Sequence, residues 1–158
     1  FAAVPDGSGG VYLNGATEGS LGGPNAGRLD AWIARYDSTG NQTWIRQFGT
    51  IDDDAASAAA PDGAGGVYVS GSTRGGLGGP NAGYLDAWIA RYDSAGNQVW
   101  IRQFGSSDDN WALAAAPDGA GCVFVSGQTL GNLGGPNAGR VDAWIARYDS
   151  AGNQTWNR

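Results

Sequence analysis

The sequence of 158 residues contains no His, no Met and no Lys, and it has a single Cys. His is the commonest general base and neutral metal ligand, so its absence removes the usual starting point for catalysis and for metal binding. One Cys cannot form an internal disulfide or a Cys-rich zinc site. Without Lys, neither a Schiff base nor a P-loop can form. The residue inventory therefore predicts that the protein is not an enzyme and binds no cofactor.

Charge and hydropathy narrow the expected partners. The net charge is −6 and all nine cations are Arg, with no basic cluster, so we expect no nucleic-acid partner. No apolar run approaches the roughly 18 residues that a membrane span needs, so we expect no membrane span. No signal peptide is visible. The chain opens at Phe1 rather than Met. We therefore expect a processed product or a piece of a longer protein.

An internal repeat with a period of 56 residues dominates what the sequence does contain. A Pro-Asp-Gly turn, a Gly-Gly-Pro-Asn-Ala-Gly segment and an Asp-Ala-Trp-Ile-Ala-Arg-Tyr-Asp-Ser segment each occur three times, in the same order. They begin at residues 5, 61 and 117, at 22, 78 and 134, and at 30, 86 and 142. Residues 1–158 are therefore interpreted as one repeat domain, with units of approximately 1–53, 54–109 and 110–158.

Each repeat is expected to form four β-strands. In the second repeat the pattern predicts strands over residues 54–60, 67–72, 86–93 and 98–104, separated by turn-forming Pro, Asp, Gly and Asn. Only the run Ala55–Ala60 has helical propensity, but it is short and ends at Pro-Asp-Gly, so a strand is predicted. Four antiparallel strands at this period are typical of β-propeller blades. A β-solenoid or a two-sheet sandwich is the alternative.

Six of the seven Trp residues recur in phase in the third and fourth strands. Packing between neighbouring blades explains this placement better than stacking on a sugar does. The six are Trp32, Trp44, Trp88, Trp100, Trp144 and Trp156. Propellers have about four to eight blades, so three blades make an incomplete ring. We expect the end faces to be covered by further copies of the chain, as a closed ring or an open filament, or by further blades of a longer parent.

Several positions that differ between repeats flank the Gly-rich connection between the second and third strands. Variable positions of this kind are expected to be exposed, and they are the candidate contacts for a ligand or partner. They are Glu18, Arg28, Arg74, Tyr84, Leu130 and Arg140. A lectin-like role, with a glycan at one shallow site per blade, is the alternative to a purely structural function.

Aspartates are the residues that could ligate a metal, and oxygen-only sites suit calcium. However, Asp favours turns by binding its own backbone amides, and no EF-hand spacing occurs. The acidic stretches 52–54 and 108–109 are interpreted as solvated turns and charges at a strand edge rather than as a site. No metal site is therefore predicted, and calcium is kept as the alternative.

The motifs resemble a known family. The segment 86–105 (DAWIARYDSAGNQVWIRQFG), the acidic pair 108–109, the strand Gly-Val-Tyr-Val-Ser-Gly at 66–71 and the connection Leu-Gly-Gly-Pro-Asn-Ala-Gly at 77–83 are similar to the bacterial β-propeller repeat family abbreviated SBBP. The resemblance covers the whole chain. It implies a propeller in a large, secreted or surface-attached bacterial protein and implies no catalytic residues. The expected function is a structural, adhesive or protein-interaction scaffold.

Overall fold

The computed structural model describes residues 1–158, which form twelve β-strands and no helix. The strands are β1 (Ala2–Pro5), β2 (Val11–Thr17), β3 (Asp30–Tyr36), β4 (Gln42–Phe48), β5 (Asp54–Pro61), β6 (Val67–Thr73), β7 (Asp86–Tyr92), β8 (Gln98–Phe104), β9 (Asn110–Pro117), β10 (Val123–Thr129), β11 (Asp142–Tyr148) and β12 (Gln154–Asn157). In the second repeat these bounds agree with the predicted strands to within one residue. No helix of the kind that could cross a membrane is present.

The strands form three separate four-stranded antiparallel sheets, one from each repeat. The order within each sheet follows the chain, from β1 to β4, from β5 to β8 and from β9 to β12. The prediction of an all-β chain with four antiparallel strands per repeat is therefore confirmed. The Pro-Asp-Gly turns join the first two strands of each sheet. In the second sheet, Asp62 Oδ1 accepts hydrogen bonds from the amides of Ala64 and Gly66, and Gly63 has a φ of +78° that favours glycine.

Strand β5 forms although its run of alanines has helical propensity. It pairs with β6 in its own sheet and also contacts β1 and β9, the first strands of the two neighbouring sheets. Small side chains allow these backbones to approach closely; a Cβ at Gly71, for example, would collide with the Ala55 carbonyl oxygen. Strand pairing and tertiary packing thus override the local preference for a helix.

Two apolar cores lie between the three sheets. The first fills the space between the first and second sheets, and the second fills the space between the second and third. The middle sheet contributes to both cores, so both of its faces are covered, and all seven residues of β6 are buried. This arrangement explains why the strands are apolar on both faces. It also leaves the outer face of the first and of the third sheet without a neighbouring sheet.

Candidate functional site

The same interaction, which we call the tryptophan contact, is made at both sheet junctions. At junction 1, between the first and second sheets, the Trp44 indole packs on Gly96, and its Nε1 donates a hydrogen bond to the Ser94 carbonyl oxygen at 3.1 Å. At junction 2, between the second and third sheets, Trp100 packs on Gly152 in the same way, with a hydrogen bond of 3.0 Å. The first and second sheets therefore each bind the β-hairpin turn of the sheet that follows.

Glycine is required under the indole for two reasons. A Cβ at Gly96 would lie 2.6 Å from the Trp44 ring, and Gly96 has a φ of +77°. An arginine two residues after the tryptophan adds polar contacts to the same turn. Arg46 Nη2 donates to the Ala95 carbonyl oxygen at 3.3 Å, and Arg102 Nε donates to the Gly152 carbonyl oxygen at 2.8 Å. The indole and the guanidinium therefore both bind backbone atoms of the hairpin turn.

Aromatic rings fill the rest of each junction. Phe48, at the end of β4, packs edge-on against Trp88 of the second sheet, with ring centroids 5.4 Å apart. Phe104 packs against Trp144 of the third sheet in the same geometry, at 5.2 Å. Such edge-to-face pairs add to the gain from burying apolar area. These contacts place Trp88 and Trp144 between sheets.

A tyrosine hydroxyl completes both junctions. Tyr12 donates to the Gly65 carbonyl oxygen at 2.7 Å, and Tyr68 donates to the Gly121 carbonyl oxygen at 3.0 Å. The third sheet has Phe124 at this position and therefore lacks the donor. Its outward face retains the aromatic ring without the hydroxyl group.

The two end faces carry the elements of the tryptophan contact without a neighbouring sheet. Trp156, the third-sheet counterpart of Trp100, is half-buried and packs on Phe124 of its own sheet at 5.9 Å. At the other end of the array, a Cβ at Gly40, the first-sheet counterpart of Gly96, would meet nothing within 4 Å. One end face thus has a tryptophan that packs on no glycine of another sheet, and the other has a glycine on which no tryptophan packs.

Burial of the six phased tryptophans follows from the position of each sheet in the array. Four of them lie at junctions and are buried: Trp44, Trp88, Trp100 and Trp144. Trp32 and Trp156 lie on the two end faces, where no second sheet packs on them, and each is half-buried. The one aromatic neighbour of Trp32 is Phe1, whose ring centroid lies 6.2 Å from that of Trp32.

The aspartates of the Pro-Asp-Gly turns form ion pairs within their own sheets. Asp6 Oδ2 lies 2.7 Å from Arg35 Nη2, and Asp6 Oδ1 accepts hydrogen bonds from the amides of Ser8 and Gly10, each at 2.8 Å. The Arg35 guanidinium also lies over the Tyr12 ring, 5.7 Å from its centroid. The same ion pair joins Asp62 to Arg91 and Asp118 to Arg147. The turn, the third strand and the junction tyrosine are thereby linked.

These hydrogen bonds and ion pairs use the carboxylates of the turn aspartates to hold the turns in place. The Arg35 guanidinium, together with the Ser8 amide, holds the pKa of Asp6 well below its usual range. The Thr39 hydroxyl and the Asn41 amide lower the pKa of Asp37 to about 2. A carboxylate whose lone pairs already accept amide and guanidinium protons is a poor general acid. No group of three or more Asp, Glu or Cys side chains converges to form a metal site.

A pair of buried carboxylates lies at junction 1. Asp30 begins β3, Asp54 begins β5, and both residues are fully buried. Asp30 Oδ2 accepts a hydrogen bond from Gln47 Nε2 at 2.9 Å, and Asp54 Oδ2 accepts one from the Thr50 hydroxyl at 2.9 Å. The Oδ1 atom of each carboxylate has no hydrogen-bond partner. The two groups flank Gly49, where a Cβ would collide with Asp30 and lie 3.1 Å from Asp54 Oδ2.

The interpretation of residues 52–54 as a solvated turn is therefore wrong for Asp54. Burial raises the pKa of its carboxyl group, and the negative charge of Asp30 adds to the rise. At junction 2 the equivalent residue is Asn110, and a Cβ at Gly105 would lie 3.1 Å from its Nδ2 and beside Asp86 Oδ1. Junction 2 thus places an amide where junction 1 places a second carboxylate.

We expect Asp54→Asn to stabilise the protein near pH 7 more than at acidic pH. A carboxyl group with a raised pKa binds protons more tightly in the folded state than in the unfolded chain. The contribution of Asp54 to the free energy of unfolding should therefore fall as the pH rises above 3.8, the ordinary pKa of Asp. Asn cannot ionise, so the variant escapes this loss. Urea denaturation over the range of about pH 3.5 to 7 measures the difference; an equal gain at every pH would contradict the prediction.

The structure brings together three of the six variable loop residues. Arg28, Arg74 and Tyr84 line a cavity of about 300 Å³ at junction 1. Arg28 and Tyr84 are exposed, and Arg74 is half-buried. The other three residues are exposed and lie outside this cavity: Glu18, Leu130 and Arg140.

Sequence reasoning missed the partners of the junction tryptophans and of the turn aspartates. A signal was present for the second, because Asp and Arg recur 29 residues apart in all three repeats. For the first, Gly40, Gly96 and Gly152 have closely similar local sequences, and their different surroundings depend only on the neighbouring sheet. No pattern in the sequence could separate them.

No family model matches the chain. The chain is similar to the regulatory protein FlaEY of Caulobacter vibrioides, with 28% identity over 145 residues. This match covers 84% of the chain and 15% of the relative, so the chain corresponds to a small part of a much longer protein.

Proposed function

We propose that the chain is a non-catalytic β-propeller repeat module that serves as a structural, adhesive or protein-interaction scaffold. Three features support a propeller arrangement: each repeat forms one four-stranded antiparallel meander, consecutive sheets pack face to face, and β5 contacts both other first strands. The motif resemblance to SBBP repeats supports a secreted or surface location in a bacterium. The match to a small part of a long bacterial protein is consistent with a module of a larger chain.

Complementary end faces are the observation that carries this proposal. We call the outward side of the third sheet, with Phe124, Trp156 and Arg158, the donor face. We call the outward side of the first sheet, with Ser38 and Gly40, the acceptor face. At both junctions the donor side of one sheet binds the acceptor side of the next through the tryptophan contact. The free donor face therefore fits the free acceptor face of an equivalent repeat.

Head-to-tail docking would form a defined set of contacts. Trp156 would cover Gly40 and donate from Nε1 to the Ser38 carbonyl oxygen, as Trp44 does to Ser94. Arg158 would reach the same turn, as Arg46 does. The tyrosine hydrogen bond would be missing because of Phe124. In solution the available partner is a second copy of the chain, which gives a ring if the rotation closes and a filament if it does not.

Light scattering over micromolar to millimolar concentrations tests the proposal. We expect the molar mass to rise above the 16.1 kDa of one chain, because exposed apolar faces of this kind rarely remain solvated in stable monomers. The glycine of the acceptor face has no side chain, so it leaves space for the indole of the donor face. A constant mass of 16.1 kDa at every concentration would contradict assembly through these faces.

A further inference from the structure

Two arginines stand apart from the other seven in having no acceptor within the chain. Four arginines form ion pairs, namely Arg35, Arg74, Arg91 and Arg147. Three more donate to backbone carbonyl oxygens, namely Arg46, Arg102 and Arg158. Arg28 and Arg140 remain, and both are exposed in the connection between the second and third strands of their sheets. In a chain of net charge −6, a guanidinium that lies beside a cavity and has no acceptor within the chain can bind an anionic partner.

Arg28 lines the cavity of about 300 Å³ at junction 1, whose walls come from both sheets. The first sheet contributes Arg28, the connection from β4 to β5 contributes Asp52, and the second sheet contributes Arg74, Asn81, Gly83 and Tyr84. The Asp52 carboxylate, like the Arg28 guanidinium, has no hydrogen-bond partner within the chain, since only its amide is bonded, to Thr50. The cavity thus combines one free cationic donor with one free anionic acceptor.

The aromatic wall of this cavity is the ring of Tyr84, which Arg74 contacts on one face. The guanidinium carbon of Arg74 lies 4.6 Å from the centroid of the Tyr84 ring. Arg74 forms an ion pair with Asp53 at 3.4 Å, and its backbone carbonyl oxygen accepts a hydrogen bond of 2.6 Å from Asn81 Nδ2. Tyr84 nevertheless keeps 62% of its surface exposed. An exposed ring of this kind is suited to stacking on a flat apolar ligand face, on the side that Arg74 does not cover.

We propose that this cavity binds an acidic saccharide. The ligand carboxylate would pair with Arg28, a sugar hydroxyl would donate to Asp52, and the apolar face of the sugar ring would stack on Tyr84. Phosphate is disfavoured because Asp52 and Asp53 would repel a dianion more strongly than a monoanion, and because phosphate has no apolar face to stack on Tyr84. The proposal is independent of the scaffold function, since the cavity lies at an internal junction.

The site is expected only at junction 1. At junction 2 the equivalents of Arg28, Arg74 and Tyr84 are Tyr84, Leu130 and Arg140, so the arginine that contacts the aromatic wall is replaced by leucine. This difference supplies a matched control. Arg140 is exposed, unpaired and at the same repeat position as Arg28, but it does not line the cavity.

Titration of the protein with D-glucuronate, D-glucose and inorganic phosphate, followed by amide chemical shifts, tests the proposal. We expect glucuronate to bind with a Kd on the order of 1 mM and to shift resonances around Arg28 and Tyr84. Arg28→Gln and Tyr84→Ala should each weaken binding about tenfold, and Arg140→Gln should leave it unchanged. The spectra of the variants show directly whether each remains folded.

Any one of four results would overturn the proposal. Equal binding of glucose would remove the role of the carboxylate, and equal binding of phosphate would reveal a general anion site. The absence of glucuronate shifts at tens of millimolar, or an equal loss of binding in Arg140→Gln, would remove the site itself. None of these outcomes depends on whether the chain associates through its end faces.

Discussion

Trp88→Ala is expected to lower the free energy of unfolding by about 3–5 kcal/mol. Trp88 is fully buried at junction 1, where Phe48 from the first sheet packs edge-on against it. The second sheet is covered on both faces and has little freedom to collapse around the space that the indole leaves. Chemical denaturation monitored by far-UV circular dichroism measures the loss.

Trp32→Ala is the matched control, because Trp32 occupies the same position in an identical local sequence. It is half-buried on an end face and has one aromatic neighbour, Phe1, so truncation should cost less than about 2 kcal/mol. Equal losses for the two variants would mean that packing between sheets does not determine the contribution of these tryptophans.

Gly96→Ala is expected to destabilise the chain more than Gly40→Ala, although both glycines end the same turn motif. Both have a positive φ, +77° at Gly96 and +83° at Gly40, so both variants incur the left-handed backbone penalty of about 1–2 kcal/mol. Only at Gly96 would the new Cβ meet an indole, 2.6 Å from Trp44. Overpacking there should add about 1–3 kcal/mol.

Both glycine variants incur the backbone penalty, so the difference between their losses in the free energy of unfolding measures the clash with the tryptophan alone. Double-variant analysis sharpens it: in a Trp44→Ala background, the extra cost of Gly96→Ala should disappear. If Gly40→Ala were as costly as Gly96→Ala in the wild-type background, the indole would not be the cause of the glycine requirement at this turn.

The sequence was sufficient to predict the strands, because period, turn residues and apolar positions all agree within each repeat. The run Ala55–Ala60 was assigned correctly because the Pro-Asp-Gly turn limits its length. The repeats are nearly identical, however, so the sequence cannot show which copy of a residue faces another sheet. Trp32 and Trp88 share their neighbours in sequence and differ only in what covers them.

The candidate sites were predictable only in part. Variation between repeats identified Arg28, Arg74 and Tyr84, but not that they share one cavity while Arg140 stays outside it. The pairing of Asp30 with Asp54 was not predictable, since it joins the start of β3 in one sheet to the start of β5 in the next. Contacts between sheets depend on packing geometry that local patterns do not encode.

Mixing two variants, each with one end face disabled, tests the head-to-tail account most directly. Trp156→Ala removes the indole of the donor face and keeps the acceptor face, and Gly40→Arg blocks the acceptor face and keeps the donor face. Each variant alone should have the 16.1 kDa mass of one chain by light scattering, whereas an equimolar mixture should form a species of twice that mass. A mixture that stays at 16.1 kDa, or single variants that associate as strongly as the wild type, would contradict docking of Trp156 on Gly40.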